Sequence, residues 1–110
     1  LIMSSELVSV DLDRDGFLQD HTQWTPQIAE QLARDENLPL TEAHWELIHL
    51  IRSFYRQFER SPAMRPLVRY VKQELGADKG NSIYLLKLFP ESPAKRLSRI
   101  AGLPRPENCL

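Results

Sequence analysis

The sequence predicts a mostly α protein: a small helical domain with an N-terminal β-hairpin and a flexible C-terminal arm. Three observations carry that reading. Five apolar-periodic stretches each follow a capping residue or a proline, an Asp-Gly turn separates two short strand-like segments near the start, and two prolines and a lone cysteine close the chain. With 110 residues, 42% of them hydrophobic and 26% charged, one domain with a modest core is expected. Residues 1–110 are read as that domain, with 103–110 as a mobile, cysteine-bearing arm.

The elements follow in chain order. ELVSVDLDRDGFL alternates briefly through Leu7 to Val10, turns over Asp13-Arg14-Asp15-Gly16 and returns through Phe17 and Leu18, a hairpin pattern. Thr25 is an N-cap with Pro26 at the first helical position, and Ile28, Ala29, Leu32 and Ala33 form one apolar face. Leu38-Pro39-Leu40 ends that helix. Thr41 caps the next, where Trp45, Ile48, Phe54, Tyr55 and Phe58 recur near helical spacing. Ser61-Pro62 opens a third, MRPLVRYVKQEL, with Pro66 in its first turns and a stop at Gly76. Asn81 or Ser82 starts a fourth, SIYLLKLF, ended by Pro90. Ser92-Pro93 starts a fifth, AKRLSRIA, ended by Gly102, and Leu103-Pro104-Arg105-Pro106 is expected to be extended.

The net charge of −1 hides an asymmetry. Residues 1–55 carry ten Asp/Glu against three Lys/Arg, a net of −7, whereas residues 56–110 carry five against eleven, a net of +6. Such a split marks either a solvated charged face or a surface for something anionic. No apolar run approaches the roughly 18 residues of a membrane span, and no secretory pattern opens the chain. Leu1 and Ile2 precede Met3, so the native start is expected at Met3 or later. A single cysteine forms no internal disulfide, which suits a reducing, cytoplasmic setting.

Most familiar chemistry is absent from the residue pattern. Asp11, Asp13, Asp15 and Gly16 match positions 1, 3, 5 and 6 of a calcium loop, but Thr22 stands where position 12 needs a bidentate Glu. His44 and His49 miss the i, i+4 spacing of a helical zinc pair, so no metal site is expected. No Ser-His-Asp arrangement or phosphate-binding glycine loop stands out. One competing reading is a DNA-binding helix-turn-helix regulator built from residues 62–75 and 82–89, with Arg65, Arg69, Lys72, Lys79 and Lys87 available for phosphates. Its second helix is almost wholly apolar after the first turn, which leaves too few side chains to read base edges.

The tail is the remaining candidate. Cys109 is the only cysteine and lies one residue from the terminus. One reading is an unordered end that happens to contain a thiol. The other is a reactive arm: prolines stiffen the segment so that it projects the thiol at roughly 3 Å per residue. Lys79, Lys95, Arg99 and Arg105 are the candidate cations to stabilise a thiolate, while Glu107 and the terminal carboxylate of Leu110 oppose it.

The ending GNSIYLLKLFPESPAKRLSRIAGLPRPENCL, with DRDGFL near the start and HWELIHLIRSFY in the middle, resembles the DsrC/TusE family of sulfur-relay proteins over essentially the whole chain from about Leu7. The resemblance implies that Cys109 carries sulfur as a persulfide and that no bound cofactor is needed. The family's dissimilatory form has a second cysteine, separated from the penultimate one by ten residues. Here that position is Ser98, which sets aside the role of a sulfite-reductase-associated carrier working through a disulfide or trisulfide. The single-cysteine, TusE-like form implies a sulfurtransferase step within a relay. Its donor is a TusBCD-like complex, and its acceptor is an MnmA-like tRNA 2-thiouridylase, with or without bound tRNA, that makes wobble 2-thiouridine.

Overall fold

A computed structural model describes residues 11–107. A 3₁₀ turn at His21–Gln23 is followed by five α-helices: α1 (Pro26–Asp35), α2 (Glu42–Phe58), α3 (Met64–Leu75), α4 (Ser82–Leu88) and α5 (Pro93–Ile100). At α1 and α4 the expected capping residues make the bonds that start the helix. Thr25 Oγ1 accepts the Ile28 N–H at 3.2 Å, and Asn81 Oδ1 accepts the Tyr84 N–H at 2.8 Å. Asn81 also donates its side-chain amide to the carbonyls of Ala77 and Asp78, which ties the turn before α4 to the helix it caps.

Thr41 and His44 form a reciprocal cap at α2. His44 Nδ1 accepts the Thr41 N–H at 3.1 Å, and His44 Nε2 lies 2.8 Å from the carbonyl oxygen of Leu88. A carbonyl only accepts, so the imidazole proton sits on Nε2. The buried ring thus joins the start of α2 to the end of α4.

One of the two shortest helices is the centre of the fold. α5 packs against each of the other four, and Ala94, Leu97, Ser98 and Ile100 are buried while Lys95, Arg96 and Arg99 lie on its outer side. Its apolar face meets Leu47, Ile48, Ile51, Leu67, Val71, Leu85 and Phe89 in one core. Side chains of this kind each contribute about 1.5–3 kcal/mol when fully buried, so a helix of eight residues holds its place by tertiary packing rather than by propensity.

The N-terminal β-hairpin is corrected. Among the described residues there is no strand, only one isolated antiparallel bridge between Leu12 and Leu18; Leu7 to Val10 lie outside them. The turn itself forms: the Asp13 carboxylate accepts the N–H groups of Asp15 (2.8 Å) and Phe17 (2.9 Å). The segment after the turn cannot be a strand with one wet face, because consecutive residues Phe17 and Leu18 are both buried. Asp20 then caps the 3₁₀ turn and ends any pairing.

Ser98, which faces the core from the middle of α5, has a buried hydroxyl with no hydrogen-bond partner among the described residues. A buried unpaired hydroxyl costs on the order of 1 kcal/mol or more. Ser98→Ala is therefore expected to leave the thermal midpoint unchanged or to raise it, and a clear drop in a melting curve would show that the hydroxyl is bonded.

Candidate functional site

The site begins where α5 ends. An α-helix leaves its last four carbonyls without internal partners, and here named donors take up the carbonyls around that end. Gly102, with φ +75°, allows its own N–H to reach the Arg99 carbonyl (3.1 Å) and the Leu103 N–H to reach that of Ser98 (2.9 Å). Trp24 Nε1 donates to the Ile100 carbonyl at 2.9 Å, and Arg52 Nη1 donates to that of Ala101 at 2.7 Å. The Arg52 guanidinium also lies 4.1 Å above the Trp24 ring. Burial, with Arg56 nearby, lowers the Arg52 pKa, but a guanidinium stays charged in proteins.

Leu103 to Pro106, which the sequence assigns to the mobile arm, are seated on the domain. Leu103 and Pro106 are buried, and Ser61 donates its hydroxyl to the Pro104 carbonyl. Arg105 pairs with Asp15 at 2.8 Å across the turn at the start of the chain. Ser61, expected only to open α3, instead holds the tail, and Ala63 is the N-cap of that helix. The described tail is therefore a fixed root that runs as far as Glu107. Cys109 lies outside the described residues. Two residues of chain reach at most about 7 Å, so the thiol is tethered close to that root.

A groove of about 380 Å³ adjoins the root. It is lined by Phe54, Phe58, Arg60, Pro62 and Pro66, with Glu107 at its edge. It lies between the end of α2 and the start of α3, and Phe58 is half exposed beside it.

The four candidate cations do not gather at one place. Arg99 and Arg105 converge on the turn at residues 13–17, where the Arg99 guanidinium carbon sits 5.0 Å from the Phe17 ring centroid and Arg105 holds Asp15. Arg99 is also paired with Glu36 at 2.6 Å, and Arg96 joins the same carboxylate at 3.3 Å. Lys79 lies apart on the turn after α3, bonded to Glu46 of α2 at 2.8 Å. That hydrogen bond raises its pKa above the ordinary lysine value. Lys95 makes no ion pair among the described residues.

The residues that sequence reading passed over are Trp24, Arg52 and Ser61. Their bonds span separations of 76, 49 and 43 residues, so no local pattern could reveal them. The helix-turn-helix reading gains little from α4, whose exposed residues are two large apolar ones, Ile83 (77% exposed) and Leu86 (43%), with only Ser82 and Lys87 as polar groups for base edges. Among the described residues no helix is long and apolar enough to cross a membrane.

Comparison with known proteins agrees with this geometry. A family described as DsrC like protein matches residues 5–110. A sulfurtransferase TusE homolog of Haemophilus influenzae is 48% identical over 103 residues, covering 94% of each chain. Sulfurtransferase TusE of Yersinia pseudotuberculosis is 46% identical over 92% of this chain and 94% of its own. Among solved structures, Allochromatium vinosum DsrC superimposes with a TM-score of 0.82 at 43% identity, covering 90% of this chain and 88% of that one. The oxidised γ-subunit of the dissimilatory sulfite reductase (DsrC) from Archaeoglobus fulgidus gives 0.78 at 42% identity, with 92% of each chain covered.

Proposed function

The chain belongs to the DsrC-like protein family, and on that premise we propose that Cys109 is the atom-carrying residue of a sulfur relay. The protein is a sulfur-relay carrier; TusE sulfurtransferases are its relatives along most of its length. The Cys109 thiolate attacks the outer sulfur of a donor persulfide. The new S–S bond forms as the donor's S–S bond breaks, and the donor leaves as a thiolate. At the acceptor the roles exchange: an acceptor thiolate attacks the outer sulfur of the Cys109 persulfide, a new S–S bond forms as the Cys109 S–S bond breaks, and Cys109 leaves as a thiolate. Neither step needs an external oxidant or a bound cofactor.

The observation that best supports the reading is the fixed root of the tail. A carrier must present one thiol to two partners in turn. The capped end of α5 and the seated segment Leu103 to Pro106 hold the chain that leads to Cys109 in a constant place. Arg99 and Arg105 are the cations nearest that root along the chain, and we assign them the favouring of the thiolate, although each also serves a carboxylate. Lys79, engaged with Glu46, and Lys95 have weaker claims.

The donor is a TusBCD-like complex and the acceptor an MnmA-like tRNA 2-thiouridylase, so the sulfur ends in wobble 2-thiouridine. A single cysteine that forms no internal disulfide suits a reducing cytoplasm. Ser98 in place of a second cysteine argues against the sulfite-reductase cycle, because a serine hydroxyl forms no disulfide. Intact-mass measurement tests the reading. After incubation with a persulfide donor the protein should gain about 32 Da, one sulfur, and lose it again on reduction. If no reducible gain appears, the carrier assignment to this cysteine is wrong.

A further inference from the structure

The outward side of α3 carries Arg65, Arg69 and Lys72, separated by four and three residues, so they form one row along the helix. All three are exposed, and none pairs with a carboxylate among the described residues. The one acid of the helix, Glu74, lies about half a turn round the axis from Arg65. At about 1.5 Å per residue the row is about 10 Å long. It begins beside Pro66, which shares the groove at the tail's root with Arg60 and Glu107. Arg60, also exposed, lines that groove as a further cation beside the start of the row.

From this placement we infer that the α3 row is a binding surface for the phosphate backbone of RNA, engaged while Cys109 delivers its sulfur. The inference deepens the relay reading and rests on it. Charge complementarity selects the occupant. Three cations in line with no interposed acid match a polyanion whose charges recur every few ångströms, and two of the three are arginines, whose planar fork suits phosphate oxygens. Backbone contact needs no base-reading side chains, which fits an α4 that exposes Ile83 and Leu86 and few polar groups. The row then orients the carrier on the RNA held by the acceptor.

The test is fluorescence anisotropy of the full chain against a labelled RNA stem-loop at several salt concentrations. Wild type should bind weakly, with log K falling against log salt at a slope of about −2, as expected for roughly three neutralised phosphates. Arg65→Glu/Arg69→Glu should lose at least about tenfold in affinity and most of the slope. Lys87→Ala on α4 should bind as wild type. Poly-glutamate should compete far less well than RNA of equal charge. The proposal is overturned if wild type shows no salt-sensitive binding, if the double variant binds as well as wild type, or if poly-glutamate competes equally, which would assign the row to an acidic protein. Persulfide loading of the double variant, followed by intact mass, must stay at the wild-type level. A loss there would instead count against the fold of the variant, and Arg65→Ala/Arg69→Ala would then replace it in the binding assay. If wild type itself fails to load, the relay reading fails independently of the RNA result.

Discussion

Cys109→Ser is expected to abolish sulfur loading outright while leaving the melting temperature within the scatter of wild type. The physical argument is about nucleophilicity. A thiolate exists in useful amount near neutral pH because the thiol pKa is about 8.5, and it attacks sulfur readily. A serine hydroxyl differs by one atom but has no comparable anion at that pH, so partial activity is not expected. Stability should not follow, because the residues that close the domain precede the cysteine: Leu103 and Pro106 are buried, and the carbonyls at the end of α5 have their donors. Surface substitutions away from such features stay within about ±0.5 kcal/mol. Intact mass and a thermal melt on the same sample decide it. Reducible sulfur on the variant would move the carrier role elsewhere. A drop of several degrees would make Cys109 part of the packing.

Gly80→Ala should produce a large loss of stability. Gly80 is buried in the turn that joins α3 to α4, and a Cβ there would fall within the radii of the backbone N and Cα of Lys72. The obstacle is helix backbone, which cannot rotate aside as a side chain can. The turn must move, and the turn is tied down: the Gly80 N–H bonds the Gly76 carbonyl at 2.9 Å, and Asn81 holds Ala77 and Asp78. Overpacking of this kind costs about 1–3 kcal/mol and occasionally more. For a domain near this size, each kcal/mol lowers the melting temperature by roughly 4–8 °C, so a fall of about 10 °C or more is expected at the upper end of that cost. A melt unchanged from wild type would mean that the turn does not rest on α3. Lys79 sits in the same turn, so the variant should also loosen its bond to Glu46.

The helices were legible because their signals are local. Thr25, Thr41, Asn81 and the prolines after Thr25 and Ser92 act within one turn, and the apolar faces they open are visible as spacing along the chain. Gly102 as the end of the last helix was legible for the same reason. The hairpin misled because an Asp-Gly turn specifies a reversal of the chain, not what the reversed segments pack against. Here Phe17 and Leu18 are both buried, and Asp20 starts a 3₁₀ turn before a second strand can pair. Local chemistry made the turn, and tertiary burial refused the sheet.

By itself the sequence determined a mostly helical domain and the place of its one cysteine, because capping residues, apolar spacing and residue type are all local. Where the packed body stops was decided only in three dimensions. Proline spacing reads Leu103 to Pro106 as a projecting arm, yet Leu103 bonds back to Ser98, Ser61 takes the Pro104 carbonyl and Arg105 reaches Asp15. The same is true of the cations. Sequence places Lys79, Lys95, Arg99 and Arg105 in one basic half, but Glu46, Glu36 and Asp15 from the acidic half engage three of them. Which charges remain available for a partner depends on pairings across 33, 63 and 90 residues. Such contacts leave no periodic trace along a chain, because they form only once the helices have set the distances between their ends.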